Sequence, residues 1–220
     1  MRAILIGATG ATGKDLLDLL LKDDSFRQVD IFVRRKLEVR HAKLNVHVID
    51  FDKTEQWKHL VKGDIVFSCL GTTLKAAGSK EAQWKIDYDY QYQFAKAARD
   101  NQVNHYVLVS SGLASPHSRS FYLRMKGQLE EAVRGLGFAK LAIFNPPVLI
   151  RKKSDRPLEV AGLKIIQYLN KIGIFRSQKP LQTEILAQAM INAAKVTTNG
   201  TVTLRGKAIW ECAKAKTSWR

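Results

Sequence analysis

Tyr122 and Lys126 stand four residues apart in HYVLVSSGLASPHSRSFYLRMKG, the stretch from His105 to Gly127. That spacing places both side chains on one face of a helix. A phenol ordinarily ionises near pH ~10, and a neighbouring ammonium favours its ionised form, which brings such a pair toward acid–base work at neutral pH. The same stretch opens with an apolar, β-branched run that ends in Ser110 and Ser111, and a hydroxyl at a strand end could hold a substrate oxygen. Tyr92 and Lys96 repeat the spacing and act as an internal control. They fall in the middle of a predicted helix with no serine-ended strand before it, so Tyr92 reads as a packing residue and Lys96 as solvated.

A second chemical feature lies near the start of the chain, where GATGATGKD runs from Gly7 to Asp15 after the apolar run Ala3 to Ile6. Gly7 suits a tight turn, Gly10 lets the backbone approach a pyrophosphate, and Gly13 allows close packing of helix on strand. Thr9, Ala11 and Thr12 complete the loop as candidate cofactor contacts, and the helix that follows offers free N–H groups and a positive dipole end to phosphates. The spacing is GxxGxxG, and a glycine triplet alone is often only a turn. Its position between a predicted strand and a predicted helix carries the nucleotide reading. The second predicted strand, VDIFV, runs into Arg34 and Arg35, where NAD-binding sites usually place an acid. Two guanidiniums there can clamp a 2′-phosphate, so NADP(H) is expected rather than NAD(H). Asp30 sits too early in the strand to replace the missing acid. Asp50 and Phe51, after the third strand, are expected beside the adenine.

These groups need a scaffold, and the chain supplies the pattern of one. Strands are predicted at Ala3–Ile6, Val29–Val33, Asn45–Ile49, Ile65–Cys69, Tyr106–Ser110, Leu141–Phe144 and Val202–Arg205. Helices are predicted at Lys14–Lys22, Ala82–Asn101, Phe121–Leu136, Leu158–Ile172 and Glu184–Lys195. Strands alternating with helices indicate an α/β fold, a doubly wound parallel sheet of Rossmann type. With 220 residues, 45% of them hydrophobic, the chain is expected to form one domain over residues 1–220.

Composition narrows the function classes. No apolar run approaches the ~20 residues that span a bilayer, and the first run is broken by Gly7, so a soluble, cytoplasmic protein with no membrane partner is expected. Cys69 and Cys212 lie far apart and the five histidines never pair at ligand spacing, so neither a disulfide framework nor a metal site is suggested. Both thiols are expected to be buried and inert. The net charge is +16, and residues 151–220 carry 14 Lys/Arg against 4 Asp/Glu. That excess reads either as attraction for a polyanion or an anionic substrate, or as a solvated face. No dense basic block with interleaved aromatics and no nucleic-acid-binding signature accompanies it, so a nucleic-acid partner is not expected and a small-molecule substrate is. Oligomeric state is left open.

GATGATG, CLGTT at Cys69–Thr73, VSSGLASP and FYLRMKGQLEEAV together resemble the short-chain dehydrogenase/reductases, in their atypical branch with epimerase-like NAD(P)-binding domains. Within that branch the chain is similar to oxidoreductases of the Tat-interacting-protein type. The resemblance implies a hydride-transfer cofactor, Tyr122 as proton donor, Lys126 on the nicotinamide ribose, and a serine orienting the carbonyl, with Ser111 matching that position better than Ser110. It also implies that Ser110, Leu70, Gly71 and Thr72 line the cofactor, that Pro146 to Val148 flank the nicotinamide, and that residues 146–182 contribute a small substrate lobe. Two positions depart from the pattern. Asn145 stands where relatives usually carry arginine, and Asp87 where many extended members place an asparagine. An NADP(H)-dependent reductase is the first expectation. A cofactor-sensing regulator without turnover and a polyanion-binding protein are the alternatives.

Overall fold

The computed structural model describes residues 1–150, 180–196 and 198–215. The helix expected at Leu158–Ile172, and with it most of the 146–182 lobe, lies outside the described residues. In chain order, β1 (Arg2–Ile6), α1 (Ala11–Lys22), β2 (Gln28–Val33), β3 (Leu44–Val48), α2 (Thr54–Trp57) and β4 (Ile65–Ser68) form the first half. They are followed by α3 (Leu74–Ala77), α4 (Lys80–Trp84), α5 (Tyr90–Asp100), β5 (His105–Val109), α6 (Phe121–Gly135) and β6 (Lys140–Asn145). A short pair, β7 (Leu149–Ile150) and β8 (Leu181–Gln182), then precedes α7 (Thr183–Val196), β9 (Gly200–Arg205) and α8 (Lys207–Lys214).

Seven strands make one sheet in the order β3-β2-β1-β4-β5-β6-β9, and every pairing is parallel. Side chains alternate across it. Ala3 and Leu5 of β1, with Val29, Ile31, Phe67, Val107 and Phe144, pack under α1, α7 and α8. Ile4 and Ile6, with Phe32, Val66, Tyr106, Leu108 and Ile143, pack against Trp57, Phe94 of α5, and Leu129 and Val133 of α6. Covering both faces explains why the central strands read as continuous apolar runs instead of alternating ones. The doubly wound sheet expected from the sequence is the sheet observed.

Local differences have physical causes. The single helix expected over Ala82–Asn101 is two helices, α4 and α5, joined by a π turn at Lys85–Asp89. Apolar periodicity cannot register one inserted residue. β4 ends at Ser68 and β5 at Val109, so Cys69 and Ser110, expected inside strands, open the loops that follow them. α8 was not expected, because a short helix with one buried side chain, Ile209, leaves a weak periodic signal. Asp30 is confirmed as a residue of the strand interior. It is buried and accepts bonds from Arg2 at 2.8 and 3.1 Å, Gln28 at 2.9 Å and Asn45 at 3.3 Å, with His47 Nε2 at 2.9 Å. Burial alone would raise its pKa, but these bonds outweigh the burial and hold its carboxyl below the ordinary range.

His105, at the start of β5, is buried, and its Nε2 has no hydrogen-bond partner among the described residues. Desolvation, helped by the nearby charge of Lys140, lowers its pKa from 6.5 to about 4. The unfolded chain therefore takes up this proton first. The contribution is full above about pH 6.5 and is lost as pH falls toward 4, amounting to at most about 3 kcal/mol. Thermal melts from pH 7.5 down to 4.5 should show His105→Leu losing less melting temperature than the parent, and parallel curves would remove His105 from the acid response.

Candidate active site and cofactor cleft

Every residue singled out for chemistry lies on a loop or helix at one end of the sheet, because parallel strands deliver all their carboxyl ends to the same edge. The strand order reverses at β1, which has β2 on one side and β4 on the other, and that reversal opens a crevice between the loops after β1 and β4.

The glycines divide the work of this crevice. Gly7 adopts φ +80°, a left-handed conformation, and a Cβ there would run into the backbone of Cys69 and Leu70. A Cβ on Gly13 would run into the Gly7 carbonyl, so these two glycines let α1 and the first loop pack directly on the end of β4. Gly10 is different. Its backbone is extended and it caps α1, donating its N–H to the Gly7 carbonyl oxygen at 2.9 Å. A Cβ there would meet Gly7 O at 3.2 Å and Cys69 O at 3.9 Å, and only open space on its other side. The first turn of α1 contains no acid, and no side chain caps it, so its free N–H groups face the crevice. These features fit a phosphate-bearing ligand.

Gly7, Thr9, Gly10, Arg34, Phe51, Leu70, Gly71 and Thr72 line one cavity of about 140 Å³, with Phe32 and Val33 at its wall. Eight expected cofactor contacts thus share one cleft. Others do not line it. Ala11 and Thr12 lie in the first turn of α1, Thr12 buried, while Arg35 and Asp50 are exposed beside the cleft. Phe51 stacks on Tyr90 with ring centres 5.2 Å apart, making one apolar wall. Cys69 also borders the cleft, and burial pushes its thiol up to about 12, which keeps it protonated.

A second cavity, of about 320 Å³, adjoins the ends of β5 and β6. Ser110, Ser111, Gly112, Leu113, Tyr122, Leu123, Pro146, Pro147, Val148 and Leu149 line it. Ser111, at the end of β5, and Tyr122, in the first turn of α6, therefore line one space. Pro146 and Val148 line this space too, and not the dinucleotide cleft. Ser110 is set apart from Ser111 by its bonding. Its buried hydroxyl donates to Glu130 Oε1 at 2.5 Å, whereas Ser111 keeps its hydroxyl free of any described partner and uses only its carbonyl, which accepts from Asn145 Nδ2 at 2.8 Å.

Lys126 lies one turn below Tyr122 and is buried, with its Nζ 3.3 Å from Asp87 Oδ1. Burial raises the pKa of Asp87, and the Lys126 charge and the Thr72 N–H pull it back only in part. The control pair behaves as expected. Tyr92 stacks with Tyr88 at 6.2 Å, and Lys96 is exposed and paired with Asp100 at 2.7 Å.

Glu130 was missed by sequence reasoning. Besides Ser110 it binds Asn145 Nδ2 at 2.6 Å, and its other oxygen faces Arg134 at 3.4 Å. The signal was the four-residue period itself, since Tyr122, Lys126, Glu130 and Arg134 form one stripe along α6. Gly127 was passed over as well. A Cβ there would strike the backbone at Ser115 and Pro116, so this glycine brings the serine loop down onto α6. Among the described residues no helix is long and apolar enough to cross a membrane, and no cluster of metal-ligating side chains occurs.

A family model described as NAD(P)H-binding matches residues 7–155. Among curated proteins, the chain is 32% identical over 217 residues to "Protein fmp52, mitochondrial" of Emericella nidulans, covering 94% of this chain and 92% of that protein. It is 36% identical over 200 residues to "Protein FMP52, mitochondrial" of Meyerozyma guilliermondii, covering 88% and 85%. These relatives are named as mitochondrial proteins, which overturns the expectation of a cytoplasmic one. Among solved structures, the chain is similar to the Bordetella bronchiseptica enzyme WbmH in complex with NAD+. That match has a TM-score of 0.70 and 16% identity over 93% of this chain and 75% of that one. A short-chain dehydrogenase/reductase superfamily protein from Agrobacterium tumefaciens with bound NAD gives a TM-score of 0.70 and 14% identity, covering 93% and 77%. With the glycine cradle, the crevice at the strand reversal and these likenesses together, the chain belongs to the NAD(P)H-binding family and is a relative of the Fmp52 proteins.

Proposed function

We propose that this chain is an NADP(H)-dependent oxidoreductase that reduces a carbonyl compound or oxidises the matching alcohol, in a mitochondrial setting like that of its named relatives. The observation that carries the reading is the meeting of Ser111 and Tyr122 in one cavity, with Lys126 one helical turn below. NADPH, when bound, supplies the hydride. Tyr122 donates its hydroxyl proton to the carbonyl oxygen as that oxygen gains charge, and the Ser111 hydroxyl donates a hydrogen bond that holds the same oxygen. Tyr122 is about a third exposed, at 36%, so solvent water can return the proton. Leu113, Leu123, Val148 and the two prolines give this cavity a largely apolar wall for the carbon skeleton of a substrate. Arg34, lining the cleft after β2 without an acid beside it, supports NADP(H) over NAD(H) through charge-assisted bonds to a 2′-phosphate.

A second reading, a cofactor-binding regulator without turnover, is favoured by one observation. The ammonium of Lys126 is engaged by Asp87 within the protein, at 3.3 Å, instead of being left wholly to Tyr122 and a ligand.

The cradle is tested first. Gly10→Val should fold and yet show no rise in melting temperature with NADPH, because its side chain fills the space phosphates need, whereas the parent should be stabilised. A variant stabilised like the parent would reduce the loop to a turn. Cofactor choice is tested by calorimetry. The parent should bind NADPH more tightly than NADH, and Arg34→Ala should lower that preference about ten-fold, with equal parent affinities refuting the assignment. For the chemistry, NADPH oxidation is followed against a panel of aldehydes and ketones. Tyr122→Phe should reduce turnover by about 10² with NADPH affinity retained, while Tyr92→Phe should match the parent. Full activity in Tyr122→Phe would remove Tyr122 from the chemistry, and a parent that binds NADPH but oxidises it with no compound of the panel would favour the regulator.

A further inference from the structure

The cavity that Ser111 and Tyr122 line is walled by two loops whose backbones touch. A Cβ on Gly112 would lie 2.9 Å from the Pro146 carbonyl oxygen and 3.5 Å from Pro147 Cα, so the loop after β5 rests directly on the loop after β6. Each loop is also pinned by a hydrogen bond of its own. The Ala114 N–H donates to the Ser111 carbonyl oxygen at 3.0 Å, closing a turn around Leu113. The Leu181 N–H donates to the Val148 carbonyl oxygen at 2.9 Å, where β8 joins β7. Two consecutive prolines, each with its φ fixed by the ring, stiffen the second loop further.

Two apolar side chains stand at the rim of these walls. Leu113 is 63% exposed and Val148 is 43% exposed, and both line the cavity with Tyr122. A lone exposed leucine or valine is ordinary on a protein surface, but apolar neighbours around one cavity mark a binding groove. Leu123, Leu149 and the two prolines continue the same surface into less exposed ground. Among the described residues no charged side chain lines this cavity, although the chain as a whole carries a net charge of +16. A carboxylate placed against leucine, valine and proline would give up water for nothing in return.

We propose that this site takes an uncharged carbonyl compound with a short hydrocarbon chain or a single ring, and that Leu113 and Val148 select it. This rests on the reductase reading and names the substrate class for it. In reduction the carbonyl carbon gains the hydride of NADPH and its oxygen gains the Tyr122 proton, giving the alcohol and NADP+. The hydrocarbon part takes no part in that exchange. It covers Leu113 and Val148 and removes them from water. The volume of about 320 Å³ stands at the lower end of small-molecule sites, which suits a body of that size.

The test pairs hexanal with 6-oxohexanoate, which has the same aldehyde and the same number of carbons but ends in a carboxylate. With NADPH oxidation as the readout, kcat/KM of the parent should be about ten-fold or more higher for hexanal. Leu113→Asn combined with Val148→Thr keeps both side chains near their size and makes them polar, at positions too exposed to endanger the core. This double variant should lower kcat/KM for hexanal about ten-fold and leave that for acetaldehyde, too short to reach the rim, within about two-fold. Val202→Thr, at a similarly exposed valine of β9 that lines no part of this cavity, should match the parent. No preference for hexanal overturns the proposal, and so does a double variant that slows hexanal and acetaldehyde alike or slows neither. If the parent reduces no carbonyl compound, the reductase reading fails and the cavity is read by binding alone. Saturation-transfer NMR then compares hexanamide with 6-amino-6-oxohexanoate. Selective binding of hexanamide, lost in the double variant, supports the apolar selection without the chemistry, whereas absent or equal binding of the two overturns it.

Discussion

Three backbone segments meet with no side chain between them: the turn at Gly7, the first turn of α1 at Gly13, and the end of β4 at Cys69 and Leu70. Much of the site depends on this contact. It sets the free N–H groups of α1 over the crevice, and it brings the loop carrying Leu70 to Thr72 against the glycine turn. The contact is held from behind by Leu16, Leu17 and Leu20 of α1, buried against the sheet under α7 and α8. Any side chain at Gly13 would push the helix off the strand, so the phosphate cradle and the packing of the first βα unit are one feature.

The other organising element is the polar stripe of α6. A helix packed on a sheet normally buries an apolar face, yet Lys126 and Glu130 turn inward one turn apart, each only a few per cent exposed. Each is matched. Lys126 meets Asp87 from the π turn, and Glu130 collects Ser110, Asn145 and Arg134. Removing one member of a buried ion pair typically costs about 3–5 kcal/mol, because its partner stays behind uncompensated. Such a stripe therefore fixes the rotation of α6, and that rotation puts Tyr122 at the mouth of the cavity opposite Ser111. Asn145 takes its meaning from the same network. By bonding both Glu130 and the Ser111 carbonyl it ties the end of β6 to the loop after β5.

The two cavities differ in character. One combines glycine backbone, Arg34 and an aromatic wall of Phe51 on Tyr90, as an adenine-containing phosphate ligand needs. The other is mostly apolar, with Ser111 and Tyr122 among its lining residues. Gly71 lies on the wall of the first, while Tyr122 lies on the wall of the second.

The sequence by itself determined the parallel sheet, most of its strands to within a residue or two, the glycine cradle and the Tyr122–Lys126 face. These are local or periodic properties: apolar runs long enough for a strand, glycines at fixed intervals, and side chains one helical turn apart. It also set the Tyr122–Lys126 pair apart from its duplicate at Tyr92 and Lys96, because only one follows a strand's carboxyl end. Tertiary structure alone decided which of two adjacent serines gives its hydroxyl to a buried carboxylate, since that depends on Glu130 reaching Ser110 from another element. It also decided that Arg34 and not Arg35 lines the cleft, and that Pro146 and Val148 belong to the second cavity. The partnership of Asp87 with Lys126 joins residues 39 positions apart, and the π turn that aims Asp87 inward leaves no mark on a helical pattern. Spacing along the chain can place two groups on one helix. Which groups from different elements share a buried space depends on how the elements pack.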